Sequence, residues 1–138
     1  MGKILLLVTA LFCSAGLSAQ QDHDWLIALF GEEDYATVAE NAPEKIDYYV
    51  FADEHGYLVQ MAEGKDLSGY PNALTIAPKK DGIAPLSVDL ILSDEFHPSL
   101  YRFKTTMNDT HWYRVGDTDY VITVLPLTSV QNKFNSEE

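Results

Sequence analysis

The sequence predicts an α+β domain: an N-terminal helical arm, a mostly antiparallel sheet of roughly six or seven short strands, and a short C-terminal helix. Three observations lead to this class. Apolar side chains recur near helical spacing in residues 24–41, the chain from Lys45 onward is rich in β-branched and aromatic residues, and turn signals divide it into hairpins. Hairpins join antiparallel strands, so the sheet is expected to be antiparallel.

The helical arm is predicted from spacing and from end signals. Asp22 or Asp24 is expected to cap a first helix, which Gly31 interrupts. Glu32-Glu33-Asp34 opens a second helical stretch, because acidic side chains are favoured at a helix N-terminus. Pro43 ends that stretch, since proline lacks the N–H that a helix interior needs.

Two hairpins are predicted in the remainder of the chain. In the first, residues 46–51 and 57–61 are strands, because both segments are rich in aromatic and β-branched side chains. In the second, residues 111–115 and 120–125 are strands joined by Gly116-Asp117-Thr118-Asp119.

Shorter elements are predicted between and after the hairpins. Residues 86–92 alternate apolar and polar side chains more clearly than any other segment, which is typical of a half-buried strand. Residues 73–76 and 100–104 are two further expected strands. Thr128-Ser129-Val130-Gln131 has capping-box spacing and predicts a short helix that ends near Phe134.

The N-terminus has the layout of a secretory signal peptide. Lys3 precedes the apolar run 4–12, and small residues follow before Gln20. We therefore predict that residues 1–19 are a signal peptide, that residues 20–138 form a single globular domain, and that the protein is exported to the periplasm or the extracellular space. The apolar run is shorter than the roughly 20 residues of a membrane span, so none is expected in the mature chain.

Cys13, the one cysteine of the chain, lies in the predicted leader. The mature domain would then have no disulfide and no thiol nucleophile, and its fold would depend on burial and hydrogen bonds. Two alternatives stay open. The N-terminal helix is retained as an anchor, or Cys13 is acylated, although Phe12 is bulkier than the small residue expected before an acylated cysteine.

The chain is strongly acidic, with 21 Asp and Glu against 9 Lys and Arg and a net charge of −12. Such a surface repels phosphate backbones and anionic lipids, so nucleic acid is not expected as a partner. An unknown protein or small-molecule partner that is basic would be favoured electrostatically. The alternative use of this charge is solubility.

No recognised motif for catalysis or cofactor binding occurs in the sequence. A Gly-x-Ser-x-Gly elbow and a glycine-rich phosphate loop are both missing. We expect no cofactor, and the four histidines are not at the spacing of a metal site. His23 would complete a copper or nickel site only if cleavage followed Gln20, because the histidine must be the third residue.

The candidate binding residues are mostly tyrosines of the predicted hairpins, because tyrosine is favoured at interfaces. The alternative is that these side chains build the two faces of a small sheet. The candidates are Tyr48, Tyr57, His111, Tyr113 and Tyr120.

Four segments together resemble a known group of proteins. They are Leu17-Ser18-Ala19-Gln20, Ala42-Pro43-Glu44-Lys45-Ile46-Asp47-Tyr48-Tyr49, His97-Pro98-Ser99-Leu100-Tyr101-Arg102-Phe103 and Tyr113-Arg114-Val115-Gly116-Asp117-Thr118. In combination they are similar to small uncharacterised exported proteins of Bacteroidetes-type bacteria. The resemblance spans most of the mature chain and implies a periplasmic or secreted setting. It implies no activity and assigns no functional residue.

From these features we expect an exported, soluble, non-catalytic domain that acts by binding or scaffolding. One alternative is a small exported hydrolase with carboxylate or histidine catalysis, and another is an acidic cation-binding protein. His97 or His111 beside an acid in a concave pocket would favour the hydrolase, because general acid–base catalysis uses such pairs in a cleft.

Overall fold

The computed structural model describes residues 24–136, which contain five α-helices and one sheet of three antiparallel strands. The predicted class, α+β, is confirmed, but the predicted sheet of six or seven strands is wrong. The predicted signal peptide, residues 1–19, lies outside the described residues. No helix within residues 24–136 has both the length and the apolar character needed to cross a membrane.

Three helices follow one another at the start of the described chain: α1 (Asp24–Phe30), α2 (Glu32–Asn41) and α3 (Pro43–His55). Gly31 separates α1 from α2 with a φ of 89°, a conformation that glycine adopts without steric cost. The helix α2 ends before Pro43, as predicted, but the helical arm continues because α3 begins at this proline. A proline in the first turn of a helix loses no intrahelical hydrogen bond.

The predicted first hairpin is wrong, because residues 46–51 lie within α3. Their aromatic and β-branched side chains favour a strand only weakly, and such a preference yields to tertiary packing. Ile46, Val50 and Asp53 follow the spacing i, i+4, i+7 and lie on one face of the helix. Ile46 and Asp53 are buried, and Val50 packs against the hydrophobic core.

The sheet consists of β1 (Tyr57–Met61), β2 (His111–Arg114) and β3 (Tyr120–Val124), in the order β1-β3-β2. The second hairpin is confirmed, since β2 and β3 pair antiparallel. The strand β1 pairs with β3 rather than with residues 46–51, and Met61 lies opposite Tyr120. As a result, β3 is the central strand, and its Ile122 and Val124 are fully buried.

Side-chain caps replace two of the other predicted strands with short helical turns. Within 86–92, the Oγ of Ser87 accepts a hydrogen bond from the Leu90 N–H at 3.1 Å and starts the helix α4 (Val88–Ile91). Asn72 accepts from the Leu74 N–H at 3.1 Å and starts a 3-10 turn. Such caps compete with ladder hydrogen bonds for the same N–H groups.

The predicted strand at 100–104 is also wrong. Pro98 opens a 3-10 turn, Pro98–Leu100, and Tyr101 makes only an isolated antiparallel bridge with Pro78. Two backbone hydrogen bonds form this bridge, from Lys79 N–H to the Leu100 carbonyl at 2.8 Å and from Arg102 N–H to the Ala77 carbonyl at 3.0 Å, and it is not part of a longer strand. The predicted C-terminal helix is confirmed as α5 (Leu127–Ser136).

The hydrophobic core lies between the inner face of the sheet and the helices. Its largest fully buried side chains are Leu26 of α1, Val115 after β2, and Ile122 and Val124 of β3. Gly116 follows Val115 with a φ of 55° and donates its N–H to Asn72 Oδ1 at 3.0 Å. The turn between β2 and β3 is therefore tied to the cap of the first 3-10 turn.

We expect Gly116→Ala to lower the free energy of unfolding by about 1–2 kcal/mol, because a left-handed φ disfavours a side chain. The added Cβ would also lie only 3.2 Å from Val88 Cγ2 and 3.3 Å from Leu74 Cδ1. Urea denaturation measures the change. Gly69→Ala is the matched control, since its Cβ would meet no atom within 4 Å. Equal stability of the two variants would contradict the prediction.

Candidate functional site

Asp53 is a buried carboxylate in the last turn of α3. Its side chain is 5% exposed, although charged residues are rarely buried without a partner. The helical spacing that places Ile46 in the core also directs Asp53 inward, two residues before the helix ends at His55. The position therefore requires hydrogen-bond donors from another part of the chain.

Both oxygens of Asp53 have a donor in the segment 97–99. Oδ2 accepts from His97 Nδ1 at 2.8 Å, and Oδ1 accepts from the Ser99 N–H at 3.0 Å. These contacts join α3 to a loop that lies more than forty residues away in the sequence. The pair thus stabilises the fold and also places a histidine beside an acid, which is the arrangement that favours acid–base chemistry.

The His97 ring is held by two contacts. It stacks on Trp25 of α1, with 4.7 Å between ring centroids and 9° between planes. A carboxylate only accepts hydrogen bonds, so the contact with Asp53 assigns a proton to Nδ1. The second nitrogen, Nε2, has no hydrogen-bond partner among residues 24–136, and the side chain is 31% exposed. Neutral His97 therefore presents an available lone pair.

A cavity of about 520 Å³ opens beside this pair, and we call it the Asp53–His97 cavity. Its wall combines an acidic part with an aromatic part. The residues that define it for the arguments below are Asp53, Glu54, Tyr57, Asp94, Phe96, His97 and Tyr120. This volume lies within the range of small-molecule sites in proteins, about 300–1,000 Å³.

The charge of the cavity wall is one-sided. Asp53, Glu54 and Asp94 contribute carboxylates, while no lysine or arginine belongs to the lining. Lys79 lies near Asp53 outside the lining. Burial and the Arg102 guanidinium lower the pKa of Lys79, and the Asp53 charge opposes that shift. The cavity therefore favours a positive or neutral ligand over an anion.

Tyr57 begins β1 and packs close to the Asp53–His97 pair. Burial raises the pKa of Tyr57, and the Asp53 charge raises it further; side-chain hydrogen bonds with Ser99 and Thr105 act in the opposite direction. The phenol therefore keeps its proton at physiological pH. It contributes a neutral hydroxyl and an aromatic ring to the cavity.

Two of the five predicted binding residues reach this cavity, namely Tyr57 and Tyr120. Tyr113 is buried, and its hydroxyl accepts a hydrogen bond from the Lys104 N–H at 2.9 Å. His111 is half-buried, with its Nε2 at 3.1 Å from Thr106 Oγ1. Tyr48 lies elsewhere, so the structure does not bring the five together.

Tyr48 lines a second groove, of about 580 Å³, between α3 and α5. Phe134 meets the Tyr48 ring edge to face, with centroids 5.2 Å apart. Although this groove is slightly larger, its lining contains no histidine, and its two charged residues, Glu44 and Lys45, carry opposite charges. We therefore assign the chemistry to the Asp53–His97 cavity.

The sequence does not predict Asp53 and His97 as a pair. Its pattern places Asp53 between the two strands of the predicted first hairpin, and His97 is named only together with His111, as a histidine whose position beside an acid would favour a hydrolase. The helical spacing of Ile46, Val50 and Asp53 is the signal that would have placed Asp53 inside. No local signal indicates His97 as its partner, because the contact is made across the fold.

Comparisons of the chain with protein-family models, with curated proteins and with solved structures found no match. Among residues 24–136, no group of three or more His, Cys, Asp or Glu side chains is placed to hold a metal ion. The chemistry of the site is therefore inferred from the cavity and its side chains.

We expect Asp53→Ala to lower the free energy of unfolding by about 2–3 kcal/mol, because it leaves the Ser99 N–H and His97 Nδ1 without their charged acceptor. Chemical denaturation measures the loss. Glu54→Ala is the matched control, since this neighbouring carboxylate is 65% exposed and we expect a change within about 0.5 kcal/mol. An unchanged free energy of unfolding in Asp53→Ala would show that the Asp53–His97 pair does not hold α3 to the loop.

We expect Tyr57 to titrate above the ordinary tyrosine pKa of about 10. Because the raised pKa belongs to the folded state, the associated stability is present below about pH 10 and is lost as pH rises through the folded-state pKa. Phenolate absorbance follows the titration, and Tyr57→Phe identifies its contribution. Asp53→Asn should lower the Tyr57 pKa, since the carboxylate charge raises it. An unchanged midpoint in that variant would contradict the assignment.

Proposed function

We propose that this protein binds a small organic cation in the Asp53–His97 cavity. The observation that carries the proposal is the composition of the wall, which has three carboxylates, three aromatic rings besides His97 and no lysine or arginine. This proposal joins the binding function expected from the sequence to the expectation of a basic partner. Export stays a prediction, and mass analysis of the protein from its native host tests it.

The carboxylates provide the attraction for a positive charge. Glu54 and Asp94 are exposed at the cavity, whereas Asp53 is buried and already accepts from His97 and Ser99. A cation that enters would therefore pair with Glu54 and Asp94 at the rim, and the buried Asp53 charge would attract it from the interior. The net charge of −12 adds long-range attraction for the same kind of ligand.

The aromatic rings give the cavity a preference for organic cations over metal ions. Tyr57, Phe96 and Tyr120 line it, and the faces of such rings attract ammonium groups. Phe96 is fixed by neighbouring rings, with its centroid 6.2 Å from Tyr101 and 6.4 Å from Phe103. This part of the wall therefore packs against the hydrophobic core before a ligand arrives, which reduces the entropy lost on binding.

We expect choline, used as a probe, to bind in the cavity and to shift the NMR signals of the His97 and Trp25 rings. The carbon isostere of choline, which lacks the charge, should bind more weakly. Glu54→Gln with Asp94→Asn should weaken choline binding by about five-fold for each carboxylate, because each removes about 1 kcal/mol of attraction. Added salt should weaken it as well.

The matched control is Glu33→Gln with Glu40→Gln, which removes the same charge from exposed positions of α2 outside the cavity lining. This variant should keep the wild-type affinity within about two-fold, since both carboxylates are exposed to solvent and form no part of the lining, so salt screens them. If both double variants weaken binding equally, the attraction comes from net charge and the cavity is not the site. Equal affinity for choline and its uncharged isostere would also reject the proposal.

A further inference from the structure

We propose that His97 is a general base, and that the cavity hydrolyses carboxylic esters of cationic amino alcohols. Asp53 is the positioning residue, and His97 is the catalytic residue, because only its Nε2 is available to water or substrate. The class of substrate rests on the proposed function, which places a cationic group in the cavity. The hydrolytic step rests on the separate geometry of the Asp53–His97 pair.

The hydrogen-bond pattern selects the tautomer that a base requires. Asp53 Oδ2 lies 2.8 Å from Nδ1, so the proton of neutral His97 is held on the side away from the available nitrogen. The lone pair is then on Nε2, which has no partner within residues 24–136. A histidine that only joined two elements would need the first contact and would gain nothing from a second nitrogen left available at a cavity.

The surroundings of the ring also fit a proton carrier. Asp53 is buried and fixed by the Ser99 N–H, so it is already oriented to stabilise the imidazolium that forms during the reaction. Trp25 covers one face of the ring at a 4.7 Å centroid distance and restricts its rotation. Positive charge on the imidazole is also favoured over the indole face.

The proposed ester hydrolysis requires only water and the imidazole of His97. Nε2 removes a proton from water while the water oxygen bonds to the ester carbonyl carbon. The tetrahedral intermediate then collapses with cleavage of the bond to the alcohol oxygen, and Nε2–H returns the proton to that oxygen. One water is consumed, and a carboxylic acid and an amino alcohol are released. A positioned base of this kind contributes roughly 10²–10⁴ to the rate.

The test follows hydrolysis of acetylcholine by NMR across a range of pH. The purified wild-type protein should hydrolyse it in a saturable way, and its rate should rise with pH along a single titration. His97→Gln should lower kcat by about 100-fold or more and remove that titration. His55→Gln is the matched control for the catalytic step, because His55 lies outside the cavity lining and contacts only the rim carboxylate Glu54 of it, at 4.0 Å; kcat should be unchanged.

Asp53→Asn separates positioning from structure. We expect its kcat to fall at least ten-fold, because the amide holds the ring less well and favours the other tautomer. KM should rise by no more than about five-fold, the effect expected from the loss of one carboxylate charge in the cavity. A purely structural role would change stability without altering the pH profile. The titratable groups that face His97 in the cavity are Asp53, Glu54, Tyr57, Asp94 and Tyr120, and the profile of His97→Gln reports what they contribute.

A second variant distinguishes the loss of the catalytic imidazole from unfolding of the protein. In His97→Ala, imidazole added to the solution should occupy the space beside Trp25 and restore part of the rate in a saturable way. Independently of activity, nitrogen NMR of the wild-type protein should show a protonated Nδ1 and an unprotonated Nε2. The opposite tautomer would overturn the proposal even if no variant folds.

The possible outcomes separate the two proposals. If acetylcholine shifts the His97 and Trp25 signals but is hydrolysed equally by wild type and His97→Gln, binding stands and the catalytic inference is rejected. If a neutral ester is hydrolysed through His97 while choline does not bind, the base is supported and the cationic class is rejected. If acetylcholine neither binds nor is hydrolysed faster than in buffer, both proposals fail.

Discussion

The buried carboxylate of Asp53 is the constraint on which the site depends. Among residues 24–136 it is the one charged side chain that is buried. A buried charge destabilises a fold unless hydrogen-bond donors surround it. His97 and the Ser99 N–H supply those donors from a loop that has no regular secondary structure beyond a short 3-10 turn. A structural requirement of α3 thus determines where the loop lies and how the imidazole is oriented.

The sheet completes the site because its register places two tyrosines near this pair. Tyr57 follows α3 after a single glycine, so β1 begins where Asp53 is buried. Met61 lies opposite Tyr120 on β3, and the period of two along a strand puts Tyr57, Val59 and Tyr120 on the inner face of the sheet. All three line the Asp53–His97 cavity. The cavity is therefore bounded by helix, loop and sheet together.

The same arrangement connects binding with chemistry. In the proposed function, acidic groups at the rim attract a cation and aromatic rings receive its apolar surface, and His97 lines the same cavity. Of the alternatives that the sequence left open, the structure supplies the observation that favours the hydrolase, since His97 lies beside an acid in a concave site. Binding remains the more general proposal, because it requires the composition of the wall and no reaction.

Local sequence signals were sufficient for the class, for the second hairpin with its turn at Gly116 and for the presence of a C-terminal helix, although the Thr128 hydroxyl donates to the Met107 carbonyl instead of capping α5. The net charge of −12 also disfavours an anionic partner. Packing across the fold makes 46–51 helical and pairs β1 with β3, since short aromatic and β-branched segments suit either state on their own. It also decided the site, because Asp53 and His97 meet only when α3 and a distant loop fold against each other.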